Sequence, residues 1–173
     1  MSTLFVNNID TATGSTVTLA SGKTLDASGG TLIPSANQII QVFEVEFTNE
    51  TSTTSSSFSD VNGGSLTFAP KYSNSKLIFQ GHLHGRYDHT TSAGGSFMFV
   101  WNGTNVISTA NHQVYDDGGG NRYRMMGLHG SITAGTTSSA TAKVQLAAYN
   151  SGTFWANWDQ SFTSGFMVME VAQ

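Results

Sequence analysis

Alternation with a period of two constrains this chain more than any other feature. NQIIQVFEVEF places Ile39, Phe43, Val45 and Phe47 against Glu44 and Glu46, which is the pattern of a strand with one buried and one wet face. KLIFQGHLHGRYD repeats it, with Leu77, Phe79, Leu83 and Tyr87 on one face and Gln80, His82, His84, Arg86 and Asp88 on the other. SFMFVWNGTNVIST reads as a hairpin, because Asn102 and Gly103 between apolar runs accept the positive φ of a tight turn. Further strands fit NRYRMMGLHGSI, ATAKVQLAAYN and FTSGFMVMEV, and TNETSTTSSSFSD reads as an exposed hairpin or loop. No segment carries a helical period. Roughly eight short strands joined by Gly, Ser and Asn turns predict an all-β chain folded as a jelly-roll-like β-sandwich.

The first 36 residues are written differently. TVTLASGKTLDASGGTL repeats a short phrase that spaces Leu19, Leu25 and Leu32 six and seven residues apart. Each unit supplies one leucine and a Ser-Gly turn, too little apolar surface to offset the entropy of ordering a single copy. Three copies wound about a common axis supply what one lacks. The expectation is a short extended or β stalk over residues 1–36, intertwined in a homotrimer, carrying a knob formed by residues 37–173.

Composition narrows the partners. Only 10% of residues are charged and the net charge is -4, with no Lys/Arg run, so neither nucleic acid nor an anionic membrane surface is an expected partner. No stretch is long and apolar enough to insert into a bilayer, and MSTLFVNNID lacks the basic start and apolar run of a signal peptide. There is no cysteine, hence no disulfide, thiolate nucleophile or Cys-based zinc site.

Three constellations could carry chemistry. In GHLHG, His82 and His84 lie two apart on a strand, roughly 6 to 7 Å from each other. One chain offers two ligands there, whereas a trimer whose axis passed this face would offer six imidazoles, a set suited to Fe, Ni or Zn. Arg86 on the same face opposes a cation, and a structural polar surface without cofactor is the expected role. In SGTFWANWDQS, Trp155 and Trp158 accompany Asn157, Asp159 and Gln160 in a turn-like segment before the last strand. Aromatic faces beside amides and carboxylates suit a sugar ring, and equally suit a contact between subunits. In QVYDDGGGNRY, Asp116 and Asp117 could offer oxygen to Ca²⁺, but the spaced acidic pattern of a calcium loop is missing and an exposed tip is expected.

The opening FVNNIDTATGSTVTLASGKTLDASGGTLIP and the segment SKLIFQGHLHG resemble short fibre-type structural proteins of tailed phages, particularly those of marine cyanobacterial phages. The second half, with its WNGT hairpin and closing SGFMVMEV, resembles the trimeric jelly rolls of the C1q/TNF type. The resemblance implies a virion protein: a trimeric fibre, head fibre or capsid decoration, anchored to a capsid or tail protein through its N-terminus with its knob outward, either decorating the particle or contacting a host surface, with glycan as the candidate ligand. Leu4, Phe5, Val6, Leu19, Leu25 and Leu32 are then the anchor candidates. The HxH pair is similar to those that hold iron on the axis of some phage needle and fibre tips.

Two rivals remain. One is a stand-alone carbohydrate-binding module. The other is a cupin-like metalloprotein, since His82, His84, Asp88 and Gly95 approximate the cupin order. Lys76 stands where that motif has glycine, and only His129 is available as a last ligand, so an enzyme is not expected. No GxSxG elbow or phosphate-cradling loop is present.

Overall fold

A computed structural model of the chain describes residues 21–22, 34–88, 93–107, 114–116, 120–150 and 152–173. The chain divides into two compact units, Met1–Ile33 and Pro34–Gln173. In the first only the turn at residues 21–22 is described, so the anchor candidates Leu4, Phe5, Val6, Leu19, Leu25 and Leu32 lie outside the described residues.

The second unit is built from strands β1 (Ile39–Phe47), β2 (Thr51–Thr53), β3 (Ser59–Phe68), β4 (Lys76–Asp88), β5 (Ala93–Trp101), β6 (Thr104–Asn105), β7 (Val114–Asp116), β8 (Arg122–Thr133), β9 (Ala140–Tyr149), β10 (Thr153–Ala156) and β11 (Ser164–Val171), plus one 3-10 turn at Trp158–Gln160. All pairing is antiparallel. One sheet runs β1-β11-β4-β8, and β10 with β2 extends it beside the far half of β4. The other runs β3-β9-β5, with β6 and β7 pairing with β5. This interleaving of first with last strands is the double Greek key of a jelly roll.

The core is the space between the sheets. Leu77, Phe79, Leu83 and Tyr87 from β4 meet Phe97, Phe99 and Trp101 from β5, all of them buried. Phe43, Phe68 and Trp101 form one stack, with ring centroids 4.3 and 4.7 Å apart, and Phe99 contacts both Phe79 and Phe166. Trp101 satisfies its indole N–H by donating to the Ala134 carbonyl at 2.9 Å.

The glycines of GHLHG belong to this core. A Cβ at Gly81 would lie 2.7 Å from the Gly165 carbonyl, and one at Gly85 would lie 2.9 Å from the Phe154 ring. These residues face inward and vacate the space that Phe99, Phe166 and Phe154 fill. The histidines between them therefore face outward. The motif reflects alternation beneath large aromatics.

Several local readings change. Ile39 is 57% exposed rather than part of the inward set, because the register shifts between Ile39 and Gln41 and a bulge reverses the facing of the residues on either side. The polar run expected as a loop contains β2, and β3 follows from SDVNGGSLTF; their hydroxyl and glycine content hid both strands. Residues 153–156 form a strand paired with β2 and β4, not a turn. Asp116 lies in β7 paired with β5, while Asp117 is outside the described residues. The Asn102-Gly103 hairpin holds, with φ of 47° and 81° at the two residues.

Candidate functional site

The site begins with a gap in strand pairing. Along one edge, β4 pairs with β11 as far as His82↔Gly165, and with β10 only from Gly85↔Ala156 onward. His84 falls in the gap. Its backbone N–H donates to Ser164 Oγ at 2.9 Å, and its carbonyl accepts from the Asn157 N–H at 3.0 Å. The segment 157–163 thus leaves the sheet, crosses the outer face and returns, replacing the missing ladder bonds with its own ends.

Asn157 holds that segment in place. It is fully buried with φ of 49°, its Nδ2 donates to the Phe47 carbonyl at 2.9 Å, and its Oδ1 accepts from Ser164 Oγ at 2.6 Å. Both ends of the amide are thereby committed inside the protein. Asp159 and Gln160 also have positive φ, and Glu50 accepts from the Asp159 N–H at 2.7 Å. Three non-glycine residues in left-handed conformation within four positions represent stored strain, a feature that clusters at functional sites.

The crossing segment lays Trp158 over Arg86. The guanidinium carbon lies 3.6 Å from the Trp158 ring centre, 4.6 Å from Trp155 and 5.7 Å from Tyr123. Register explains the convergence: Trp155 of β10 and Tyr123 of β8 are the residues opposite Arg86 on its two sides. Trp155 and Trp158 meet edge to face at 5.0 Å. Arg86, expected as a charge on an open polar face, is instead buried, with 6% of its side chain exposed. Its acidic neighbour, Asp88, approaches Nη2 only to 3.5 Å and is half exposed. Among the described residues, nothing accepts a hydrogen bond from Nε or Nη1. Cation-π attraction offsets part of the desolvation of this guanidinium but does not satisfy those donors.

A cleft of about 120 Å³ opens beside Arg86. Tyr123, Met125, Trp158 and Phe162 wall it, and Arg124 and His84 contribute polar edges. The His84 ring stacks on Phe162 at 5.0 Å, nearly parallel. Burial pushes its imidazole below the usual histidine range, with His82 adding in the same direction. The His82 and His84 rings stand 6.4 Å apart and perpendicular, and His129 lies across from Gln80 on the neighbouring strand. Among the described residues, no three His, Asp or Glu side chains gather about one point.

Of the expected glycan residues, the structure brings Trp155 and Trp158 together, turns Asn157 inward and leaves Asp159 and Gln160 exposed. Arg86, Tyr123, Arg124 and Phe162 were not anticipated. A signal for them was present, since the chain has three arginines and all three fall in GRY and RYR, two segments that pair with each other.

No protein-family model matches the sequence, and no curated protein is significantly similar to it. Among solved structures, the chain is similar to one of infectious bursal disease virus, Gx strain, with 15% identity and a TM-score of 0.39 over 78% of this chain and 33% of that one. It is similar to a mutant VP2 protein of the same virus in T=1 particles, with 17% identity and a TM-score of 0.36 over 88% of this chain and 41% of that one. A VP2 subviral particle gives 14% identity and a TM-score of 0.36 over 88% and 37% of the two chains. The chain therefore spans less than half the length of these proteins.

Proposed function

We propose that this protein is a non-enzymatic structural component of a virion: a homotrimeric fibre or capsid-decoration protein of a tailed phage, anchored through residues 1–36 and contributing to host-surface attachment through its sandwich. One observation carries the attachment reading. The sandwich receives its chain at one end and has its cleft at the other. Ile39, Val171 and Lys76 are aligned across β1, β11 and β4, and Asn37 and Gln38 exchange backbone hydrogen bonds with Ala172 beside them. Arg86 lies ten residues further along β4, about 33 Å away at the usual rise per residue. A knob held at its first strand presents the Arg86 cleft distally.

The trimer draws support from the outer face of the β1-β11-β4-β8 sheet. Val42, Met169 and Ile78 are aligned across three strands there, and Val42 is 54% exposed. A strip of this kind is suited to a subunit contact, and three copies of the distal cleft on each knob would multiply weak binding through effective concentration.

Light scattering on the full chain tests the assembly. A mass near three times 18.4 kDa is expected. Deletion of residues 1–33 is expected to preserve the sandwich and abolish incorporation into particles. A monomeric full chain that binds glycan would instead identify a stand-alone carbohydrate-binding module.

A further inference from the structure

We infer that the Arg86 cleft is a binding site for an acidic saccharide, its carboxylate or sulfate held by Arg86 and its ring seated on the aromatic walls. The inference rests on the attachment reading above and names the chemistry of what is attached.

The first ground is a buried cation short of partners. Arg86 is more than nine-tenths buried and lines the cleft, and among the described residues its Nε and Nη1 have no hydrogen-bond partner, while Asp88 meets Nη2 at 3.5 Å and is half exposed. A planar guanidinium with spare donors is matched by the oxygens of a carboxylate or sulfate. The second ground is the distribution of charge. The chain is acidic overall, at -4, yet its three arginines all fall in the paired segments beside this cleft, Arg86 on its outer face and Arg122 and Arg124 on the opposite face of the same sheet. Such concentration at one point favours an anionic ligand over a cation or a neutral one.

The third ground is shape. Tyr123, Trp158 and Phe162 offer ring faces on which the C–H face of a sugar can rest, and the opening admits little more than one ring edge with its anionic substituent. Tyr123 is 49% exposed and stands at the rim of the cleft, 5.7 Å from the guanidinium carbon. Asp88 competes with the ligand for Nη2, which makes it an internal brake on affinity.

The test is a titration of the full chain followed by tryptophan fluorescence, with glucuronic acid, glucose 6-sulfate and glucose as probes. Trp155 and Trp158 adjoin the cleft and report on its occupancy. Saturable binding of one or both acids without binding of glucose is expected, and comparing the two acids separates carboxylate from sulfate recognition. Arg124→Gln is expected to weaken binding of the acids about three-fold, the loss of one nearby positive charge. Asp88→Asn is expected to tighten it. Both residues are exposed, so each variant should fold, which circular dichroism verifies.

Equal binding of glucose and the acids would overturn the anionic inference while leaving glycan attachment standing. Absence of binding by all three probes would overturn the saccharide site. If Tyr123→Ala also converted a trimer to monomers, the cleft would be a contact between subunits. Failure of the assembly reading is read separately, from the mass and the particle incorporation.

Discussion

The Arg86 guanidinium carbon and the Trp158 ring centre are 3.6 Å apart, so a fixed positive charge is roofed by an indole at the far end of the longest strand. The roof exists because residues 157–163 leave the sheet at Asn157 and return at Ser164. Removing the indole should expose how much the guanidinium depends on it. Trp158→Ala is expected to lower unfolding free energy by about 2 kcal/mol, and Trp158→Phe by less, in chemical denaturation. Equal effects from both variants would mean that a phenyl ring at this position contributes nothing to holding the guanidinium and that the roof depends on the indole itself.

Gly95 lies beneath the Phe154 ring, where an added Cβ would overlap the ring itself. Gly95→Ala is expected to destabilise the sandwich by about 3 kcal/mol through overpacking. Combining it with Phe154→Leu should return part of that loss, and a double-mutant cycle reads the coupling. Additive effects would show that the two residues do not compete for one space.

Glu170 is fully buried and, among the described residues, has no basic side chain beside it. Its carboxylate accepts from the Lys71 and Tyr72 backbone N–H groups, from Ser75 Oγ at 2.6 Å and from Gln41 Nε2. It fastens the turn between β3 and β4 to the last strand. Glu170→Leu leaves several donors unpaired and is expected to cost about 3 kcal/mol or more, with hydrogen exchange rising first at residues 71–75. Unchanged exchange there would refute the fastening role.

Acid should weaken the fold through His84. Burial, with His82 beside it on the strand adding in the same direction, depresses the folded-state pKa below 6.5, and the ring stacks on Phe162. Above 6.5 neither state holds the proton, so stability is unaffected by this group. As pH falls through 6.5 the unfolded chain takes up the proton first, and stability declines until the folded pKa is passed. His84→Gln is expected to flatten the melting temperature between pH 6.5 and the acid limb. A slope identical to wild type would assign it elsewhere.

The strands that alternate strongly were legible without coordinates, and so was the Asn102-Gly103 turn. β2, β3 and β10 were not. Thr51, Gly63 and Thr153 give no apolar period, and these segments are strands because a neighbouring edge accepts their backbone. The site divided similarly. Trp155 and Trp158 were legible as a pair from their spacing in one segment, whereas Tyr123 and Arg86 join them only through register across β8, β4 and β10.

By itself the sequence determined an all-β chain, because period-two alternation punctuated by turn residues can bury its apolar face only as paired sheets. It also determined that His82 and His84 share a face. Tertiary structure alone decided what that face became. Arg86 alternates in phase with both histidines, yet it is buried because β11 covers only part of β4 and the segment before it, residues 157–163, closes over the gap. Alternation assigns a side chain to one side of a strand; whether that side meets water depends on which other segment crosses it.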